Sequence, residues 1–267
     1  MTSPDNVAQK AAASYQIAAL DQEFILSDSM RGVRFLLEYA KAEERLRAWG
    51  VRSTIVVFGS ARVRPADGTP PGRDPGRAAF WYEEARRFGR LASERGGALY
   101  PRDGVRDNVI ATGGGPGVME AANRGAMEAG APSIGFNITL PHEQEPNPYT
   151  TPDLTFNFHY FAMRKMHLAM RANALVVFPG GFGTLDELFE ILTLRQTGKA
   201  PRIPVALFDR AYWESVINFQ ALIDHAMIAP SDLELFAYAN DAEEAWACLT
   251  KQGLKPNAEI PPKDELT

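Results

Sequence analysis

A glycine turn followed by two carboxylates is the stretch of this sequence best suited to do chemistry. In Ala174-Leu175-Val176-Val177-Phe178-Pro179-Gly180-Gly181-Phe182-Gly183-Thr184-Leu185-Asp186-Glu187-Leu188-Phe189-Glu190 a short apolar run gives way to a glycine-rich turn and then to a helical pattern. Gly180, Gly181 and Gly183 let the backbone come close to a ligand. The helix that follows opens with unpaired N–H groups and the positive end of its dipole. Such an opening binds anions, most often phosphate. Glu187 and Glu190 lie three apart and project from roughly one side of the first turns, so an acid side chain accompanies the cradle. Thr184-x-x-Glu187 also reads as a capping box, in which Glu187 would only bond back to the Thr184 N–H. Choosing between these readings needs a second glycine turn and a cation.

The second turn is Gly113-Gly114-Gly115-Pro116-Gly117, after the apolar Val109–Thr112 and before a helix from about Val118 to Glu128. It is not the dinucleotide fingerprint, which would need glycine at Val118. A nicotinamide or flavin dinucleotide is disfavoured, a mononucleotide remains possible, and a tight turn without a ligand is the alternative. A further turn, Gly59-Ser60-Ala61-Arg62, leaves the buried-strand run Thr54–Phe58. Small residues followed by arginine suit a phosphate or carboxylate, although Arg62 could equally be a surface residue. The cation comes from a helix read over Tyr160–Arg171, where Arg164, His167 and Arg171 share a stripe and Lys165 sits beside it. On a mostly apolar helix a buried cation needs an anionic partner; the alternative is a surface pair of charges.

The elements that must position these residues alternate along the chain. Residues 1–14 read as a loose leader and Ala19–Trp49 as at least two helices split by Ser27-Asp28-Ser29 and Gly32. Strands are expected over Thr54–Phe58, Val109–Thr112, Ser133–Ile138, Leu154–Phe158, Ala174–Phe178 and Ile203–Phe208, with a short strand or turn at Leu233–Tyr238. Helices are expected over Phe80–Arg95, Tyr212–Met227 and Ala242–Lys251, besides those above. Val63–Arg77 and Pro141–Tyr149 read as surface loops. This alternation indicates a Rossmann-like α/β fold, a mostly parallel sheet with helices on both faces and an N-terminal helical extension. The expected division is 1–52 for the extension, 53–252 for the catalytic domain and 253–267 for a polar tail. Ligands of such folds bind at the carboxyl ends of strands, where all three glycine turns lie.

Composition narrows the partners. The 267 residues, 45% of them hydrophobic, can bury a sizeable core, and a formal net charge of −5 leaves no footprint for nucleic acid or an anionic membrane. A single cysteine, Cys248, excludes an intramolecular disulfide framework and favours a reducing compartment. It reads as a buried helix residue. Met1–Ala13 holds no sustained apolar stretch and no segment nears ~18 consecutive apolar residues, so a soluble, cytoplasmic protein is expected. Of the four histidines only His142 and His159 fall in loop-like or strand-end settings, and no metal-ligand spacing occurs; neither metal nor cofactor is implied.

Pro179-Gly180-Gly181-Phe182-Gly183-Thr184-Leu185-Asp186-Glu187 resembles the PGGxGTxxE motif of the LONELY GUY (LOG) family. These proteins are cytokinin riboside 5′-monophosphate phosphoribohydrolases and related nucleotide nucleosidases, often mislabelled lysine decarboxylases. The resemblance extends over Gly59–Arg62, Thr112–Glu120 and Arg164-Lys165, roughly residues 53 to 210, with four separated motifs in order. It implies Arg164 and Glu187 as the catalytic pair, with Asp186 and Glu190 in support. Phosphate and nucleotide contacts would fall on Gly59, Ser60, Arg62, Gly114, Gly115, Gly117, Glu120, Lys165, Gly180, Gly181, Gly183 and Thr184. Here Phe161-Ala162-Met163 precedes Arg164-Lys165, so the Met-His part of the family's MHxRK motif is absent. The long N-terminus and the Val63–Arg77 insertion also depart from the shortest members. The implied reaction hydrolyses the N-glycosidic bond of a nucleoside 5′-monophosphate, AMP or an N6-substituted AMP, to free base and ribose 5-phosphate. Arg164 would hold Glu187 ionised, and Glu187 would stabilise oxocarbenium character and orient or deprotonate the attacking water. The runner-up is a nucleotide- or phosphoester-binding protein without turnover. A decarboxylase would need a pyridoxal-phosphate lysine, for which neither Lys165 nor Lys199 has a recognisable setting. A homodimer or larger assembly is expected by resemblance, with the N-terminal helices as one candidate contact.

Overall fold

The computed structural model describes residues 5–68, 76–140, 145–199 and 203–255. Residues 1–4 of the leader, 69–75 of the Val63–Arg77 loop, 141–144 with His142, and 256–267 of the tail lie outside the described residues. The chain divides into two compact units, Met1–Lys41 and Ala42–Thr267. The first holds α1 (Val7–Ala11), α2 (Gln22–Leu26) and the start of α3 (Arg31–Ala48). Asp21 caps α2 by accepting from the Phe24 N–H at 2.9 Å, and Arg34 donates to the carbonyls of Ile25 and Ser27 at 2.8 and 2.6 Å. The break before α3 falls at Ser27–Ser29, whereas Gly32 lies inside the first turn of α3 and does not interrupt it.

The second unit continues with β1 (Thr54–Phe58), α4 (Gly76–Gly96), β2 (Val109–Thr112), α5 (Val118–Glu128), β3 (Ser133–Ile138), β4 (Thr155–Phe158) and α6 (Phe161–Met170). After these come β5 (Ala172–Val177), α7 (Phe182–Gln196), β6 (Val205–Phe208), α8 (Arg210–Val216), α9 (Phe219–Asp224), β7 (Ala237–Ala239) and α10 (Ala242–Lys251). The seven strands form one all-parallel sheet in the order β4-β3-β2-β1-β5-β6-β7. Both faces are covered. The period of two along β1 sends Val56 and Phe58 to one core with Leu168, Leu188 and Trp213, and Ile55 and Val57 to the other with Phe88, Ala122 and Ala245. A strand buried on both sides must be apolar throughout, which is why these runs read so plainly in the sequence.

One expected helix is two. Tyr212–Met227 breaks at Ile217-Asn218, where the Asn218 side chain accepts from the Ala221 N–H at 3.0 Å and starts α9. Asp209 likewise caps α8 through the Tyr212 N–H at 3.2 Å. On the opposite face α4 and α5 cross closely because each presents glycine at the contact. A methyl on Gly89 would meet Ala122 Cα at 3.0 Å, and one on Gly125 would meet the Arg90 nitrogen at 2.7 Å. The strand order reverses between β1 and β5, whose ends are level, Phe58 opposite Val177. Their turns are joined there, Ser60 N–H to the Pro179 carbonyl at 3.0 Å. That crevice is where an open parallel sheet binds its ligand.

Candidate active site

A cavity of about 810 Å³ opens at this crevice, large enough for a mononucleotide. The β1 turn contributes Gly59, Ser60 and Arg62 to its wall, the β5 turn Gly180 and Gly181, and the first turns of α7 Gly183, Thr184, Asp186 and Glu187. Arg164 reaches the same wall from α6.

The first turn of α7 settles the capping question. The helix begins at Phe182, with Gly181 as its N-cap and no side chain accepting from its first N–H groups. Thr184 is therefore already the third helical residue, and Glu187 cannot close a box upon it. Instead Glu187 Oε1 accepts from Arg164 Nη1 at 3.3 Å, while Arg164 Nε donates to the Phe136 carbonyl at 2.8 Å. Backbone and carboxylate together thus aim the guanidinium. Glu187 is 6% exposed, and burial pushes its carboxyl up to about 7, with Arg164 and Lys165 pulling in the opposite direction. This differs from the expectation that Arg164 holds Glu187 ionised: desolvation outweighs the ion pair, and the acid is half-protonated near neutrality. Burial also lowers Arg164 against the pull of Glu187 and Asp186, yet a guanidinium remains charged.

The glycines fall into two kinds. Added methyls on Gly181 and Gly183 would meet nothing within 4 Å, and neither residue has the positive φ that requires glycine. Their missing side chains leave empty space at the uncapped end of α7, the arrangement an anion needs. The second glycine turn is different. A methyl on Gly113 would sit 2.5 Å from Arg164 Nη2, one on Gly114 would strike Asn137, and one on Gly117 would come within 2.9 Å of Ala61 Cα. The Gly114 and Gly115 carbonyls each accept from the Asn147 amide at 3.1 Å. Gly114, Gly115 and Gly117 do not line the cavity; this turn makes room for Arg164 and for the β1 turn. Glu120 also lies off the wall, accepting from the Tyr82 hydroxyl at 2.7 Å.

Lys165 is not among the lining residues either. Its ammonium bridges Asp186 at 2.8 Å and Glu190 at 3.0 Å. Burial would lower it, but those hydrogen bonds outweigh burial and raise it. A protonated amine tied to two carboxylates braces α6 on α7 and is unsuited to condense with a carbonyl cofactor. Of the stripe on α6, only Arg164 reaches the site. His167 is buried against Phe158 and Phe136, ring centroids 5.5 and 6.1 Å away, and Arg171 pairs with Glu43 at 2.7 Å. Met119, Trp81, Tyr212, Phe161 and Phe182 also line the cavity, outside the residues expected from sequence. For Phe182 a signal existed, an aromatic between two cradle glycines; it is 93% exposed. Trp81 and Tyr212 come from distant helices and carry no local spacing that marks them.

Residues 119–249 match the family model described as "Possible lysine decarboxylase". The cytokinin riboside 5′-monophosphate phosphoribohydrolase LOG7 of Arabidopsis thaliana is 28% identical over 177 residues, 65% of this chain and 75% of its own. The cytokinin riboside 5′-monophosphate phosphoribohydrolase of Rhodococcoides fascians is 26% identical over 200 residues, 71% of this chain and 93% of its own. Among solved structures, the X-ray structure of TM1055 shares the fold, with a TM-score of 0.51 and 23% identity over 74% of this chain and 99% of that one. With its glycine motifs, its arginine and its glutamate gathered at one crevice, this chain is similar to proteins named cytokinin riboside 5′-monophosphate phosphoribohydrolases and matches the family model described as "Possible lysine decarboxylase" over just under half of its length.

Proposed function

We propose that the protein hydrolyses the N-glycosidic bond of a nucleoside 5′-monophosphate, AMP or an N6-substituted AMP, releasing the base and ribose 5-phosphate. The observation that carries this reading is the Arg164–Glu187 pair standing in the same cavity as an uncapped helix end with open glycines. The 5′-phosphate takes the N–H groups of the first turn of α7, and Arg62, exposed on the rim, supplies a second contact. Holding that remote group places the sugar over Glu187. As the bond to the base lengthens, the ribose gains oxocarbenium character, which the carboxylate stabilises while taking a proton from the attacking water. The hydroxyl adds to C1′ and the proton leaves on the departing base. Phe161, Phe182 and Trp81 offer apolar faces to that base.

The names of the two phosphoribohydrolase relatives support the same substrate class. We further take the protein to be cytoplasmic and at least a homodimer. In support of assembly, residues 5–41 bury none of their side chains and leave Ile17, Leu20, Leu26 and Leu36 more than 60% exposed. Among the described residues no helix is long and apolar enough to cross a membrane.

Incubation with a panel of monophosphates, followed by chromatography for free base, tests the reaction, with adenosine as the control lacking the phosphate. No base released from any monophosphate would refute it. The carboxylate form of Glu187 is the active one, so kcat/KM is expected to fall about tenfold per pH unit below about 7. A bound dianionic phosphate raises a nearby carboxyl further, so the limb in kcat should lie at higher pH than the limb in kcat/KM. A kcat/KM profile flat from pH 5.5 to 8 would remove Glu187 as the base.

A further inference from the structure

We infer that Tyr212 and Asp209 are positioning residues that lock the Gly180–Gly181 peptide of the phosphate turn in one orientation. The inference rests on the assignment of that turn to an anion. The Tyr212 hydroxyl donates to the Gly180 carbonyl at 2.7 Å. In a planar trans peptide the carbonyl and the next N–H point to opposite sides, so holding the Gly180 oxygen also fixes the direction of the Gly181 N–H. Glycine on both sides of this peptide gives it little steric preference of its own. A flipped peptide would present an oxygen where the anion needs a donor. The Tyr212 hydrogen bond selects against that flip.

Tyr212 is itself held. Its N–H reaches the Asp209 carbonyl at 3.0 Å and the Asp209 carboxylate at 3.2 Å. Its ring packs edge-on against Trp81 at 5.7 Å and Trp213 at 5.2 Å. Asp209 gathers these contacts: one carboxylate oxygen pairs with Arg77 at 2.7 Å and the other accepts from Trp81 Nε1 at 2.9 Å. It does so at φ +69°, in the left-handed region that asparagine and aspartate tolerate better than other side chains, while 4% exposed. A buried carboxylate in a disfavoured conformation, shared between α4 and α8 at the edge of the cavity, is more than the capping of a seven-residue helix requires. Its further result is a rigid Trp81–Tyr212 wall that ends on the phosphate turn.

Tyr212→Phe keeps the ring and removes only the hydroxyl. By calorimetry on the full chain, its affinities for ribose 5-phosphate and for inorganic phosphate should weaken together, about five- to tenfold, the worth of one hydrogen bond. KM for AMP should rise by the same factor, with kcat within about twofold of wild type. Asp209→Asn keeps the conformation but leaves its NH2 facing a donor, either Trp81 Nε1 or Arg77 and the Tyr212 N–H, and should bind both anions with an affinity between those of wild type and Tyr212→Phe. Asp209→Gly relieves the backbone but frees Trp81 and Tyr212, and should bind them at least as weakly as Tyr212→Phe. Wild-type anion affinity in Tyr212→Phe, or a fall in kcat at unchanged KM, would overturn the assignment, as would a wild-type protein that binds neither anion. Anion binding without base release would instead remove the proposed reaction, leaving the brace to be judged by the ratio of Tyr212→Phe to wild-type affinity.

Discussion

Glu187→Gln should lower kcat by roughly 10²- to 10⁴-fold, the usual worth of a general acid–base group, while AMP still binds. The amide keeps the volume of the carboxyl and an oxygen to accept from Arg164, so the cavity wall is preserved. It can neither take a proton from water nor carry charge opposite an oxocarbenium ion. Equilibrium binding of AMP, set beside single-turnover release of base, separates these effects; loss of binding in parallel with turnover would show that Glu187 holds the wall together instead.

The same substitution should stabilise the protein at alkaline pH. An acid whose folded pKa lies above its unfolded value contributes stability that is fully present below the unfolded pKa and lost as pH rises through the folded one. For Glu187 the window runs from the ordinary value of 4.5 to about 7. Above it, ionised Glu187 costs the folded state roughly 3 kcal/mol, an order-of-magnitude figure at 1.36 kcal/mol per pH unit. The neutral amide is spared that cost, so Glu187→Gln is expected to melt several degrees higher than wild type at pH 8, with the gap closing toward pH 4.5. The opposing effect is loss of the counter-charge to buried Arg164, and breaking a buried pair can cost about 3–5 kcal/mol. The Glu187 carboxyl is raised even with Arg164 beside it, so its burial outweighs its attraction to the guanidinium. A variant less stable than wild type at every pH would reverse that ranking. An acid buried in a cavity at a cost to the fold matches the common trade-off between stability and activity, and accords with the role proposed for Glu187.

How much of this could be read from the chain depended on whether a residue's role is local. β1, β2 and β3 are sandwiched between helix layers, so their apolar runs coincide with the strands residue for residue. Helix boundaries set by short-range polar contacts were harder to read. Asn218 divides the expected Tyr212–Met227 helix, and α7 starts at Phe182 because Gly181, not Thr184, takes the cap position. Arg164 and Glu187 could be found because each sits in a recognisable local pattern, a cation on an apolar helix and an acid after a glycine turn. Trp81 and Tyr212 could not. Only tertiary packing brings α4 and α8 to the crevice, and the role of Asp209 depends on a backbone angle that composition does not reveal. The second glycine turn shows a different limit. A glycine in a sequence says that space is needed, but not whether a ligand or the protein's own arginine fills it.

That ambiguity makes Gly183→Ala the most direct test of the cradle, with Gly117→Ala as its counterpart. At Gly183 the new methyl meets no protein atom within 4 Å, the residue is helical, and alanine is the better helix former. Folding stability should therefore hold or rise by up to about 1 kcal/mol. Affinity for ribose 5-phosphate and kcat/KM for AMP should nonetheless fall about 100-fold, because the methyl occupies space the phosphate needs and shifts the sugar away from Glu187. At Gly117 the order of effects reverses. With φ +76° and the new methyl 2.9 Å from Ala61 Cα, the β1 turn must move or the fold must open. Thermal melting should show a loss of several kcal/mol, and whatever remains folded should lose activity with it. An anion site predicts opposite signs for Gly183, stability kept and binding lost. A Gly183→Ala protein that binds ribose 5-phosphate as tightly as wild type would place the phosphate elsewhere, and with it the geometry that puts Glu187 beneath the scissile bond.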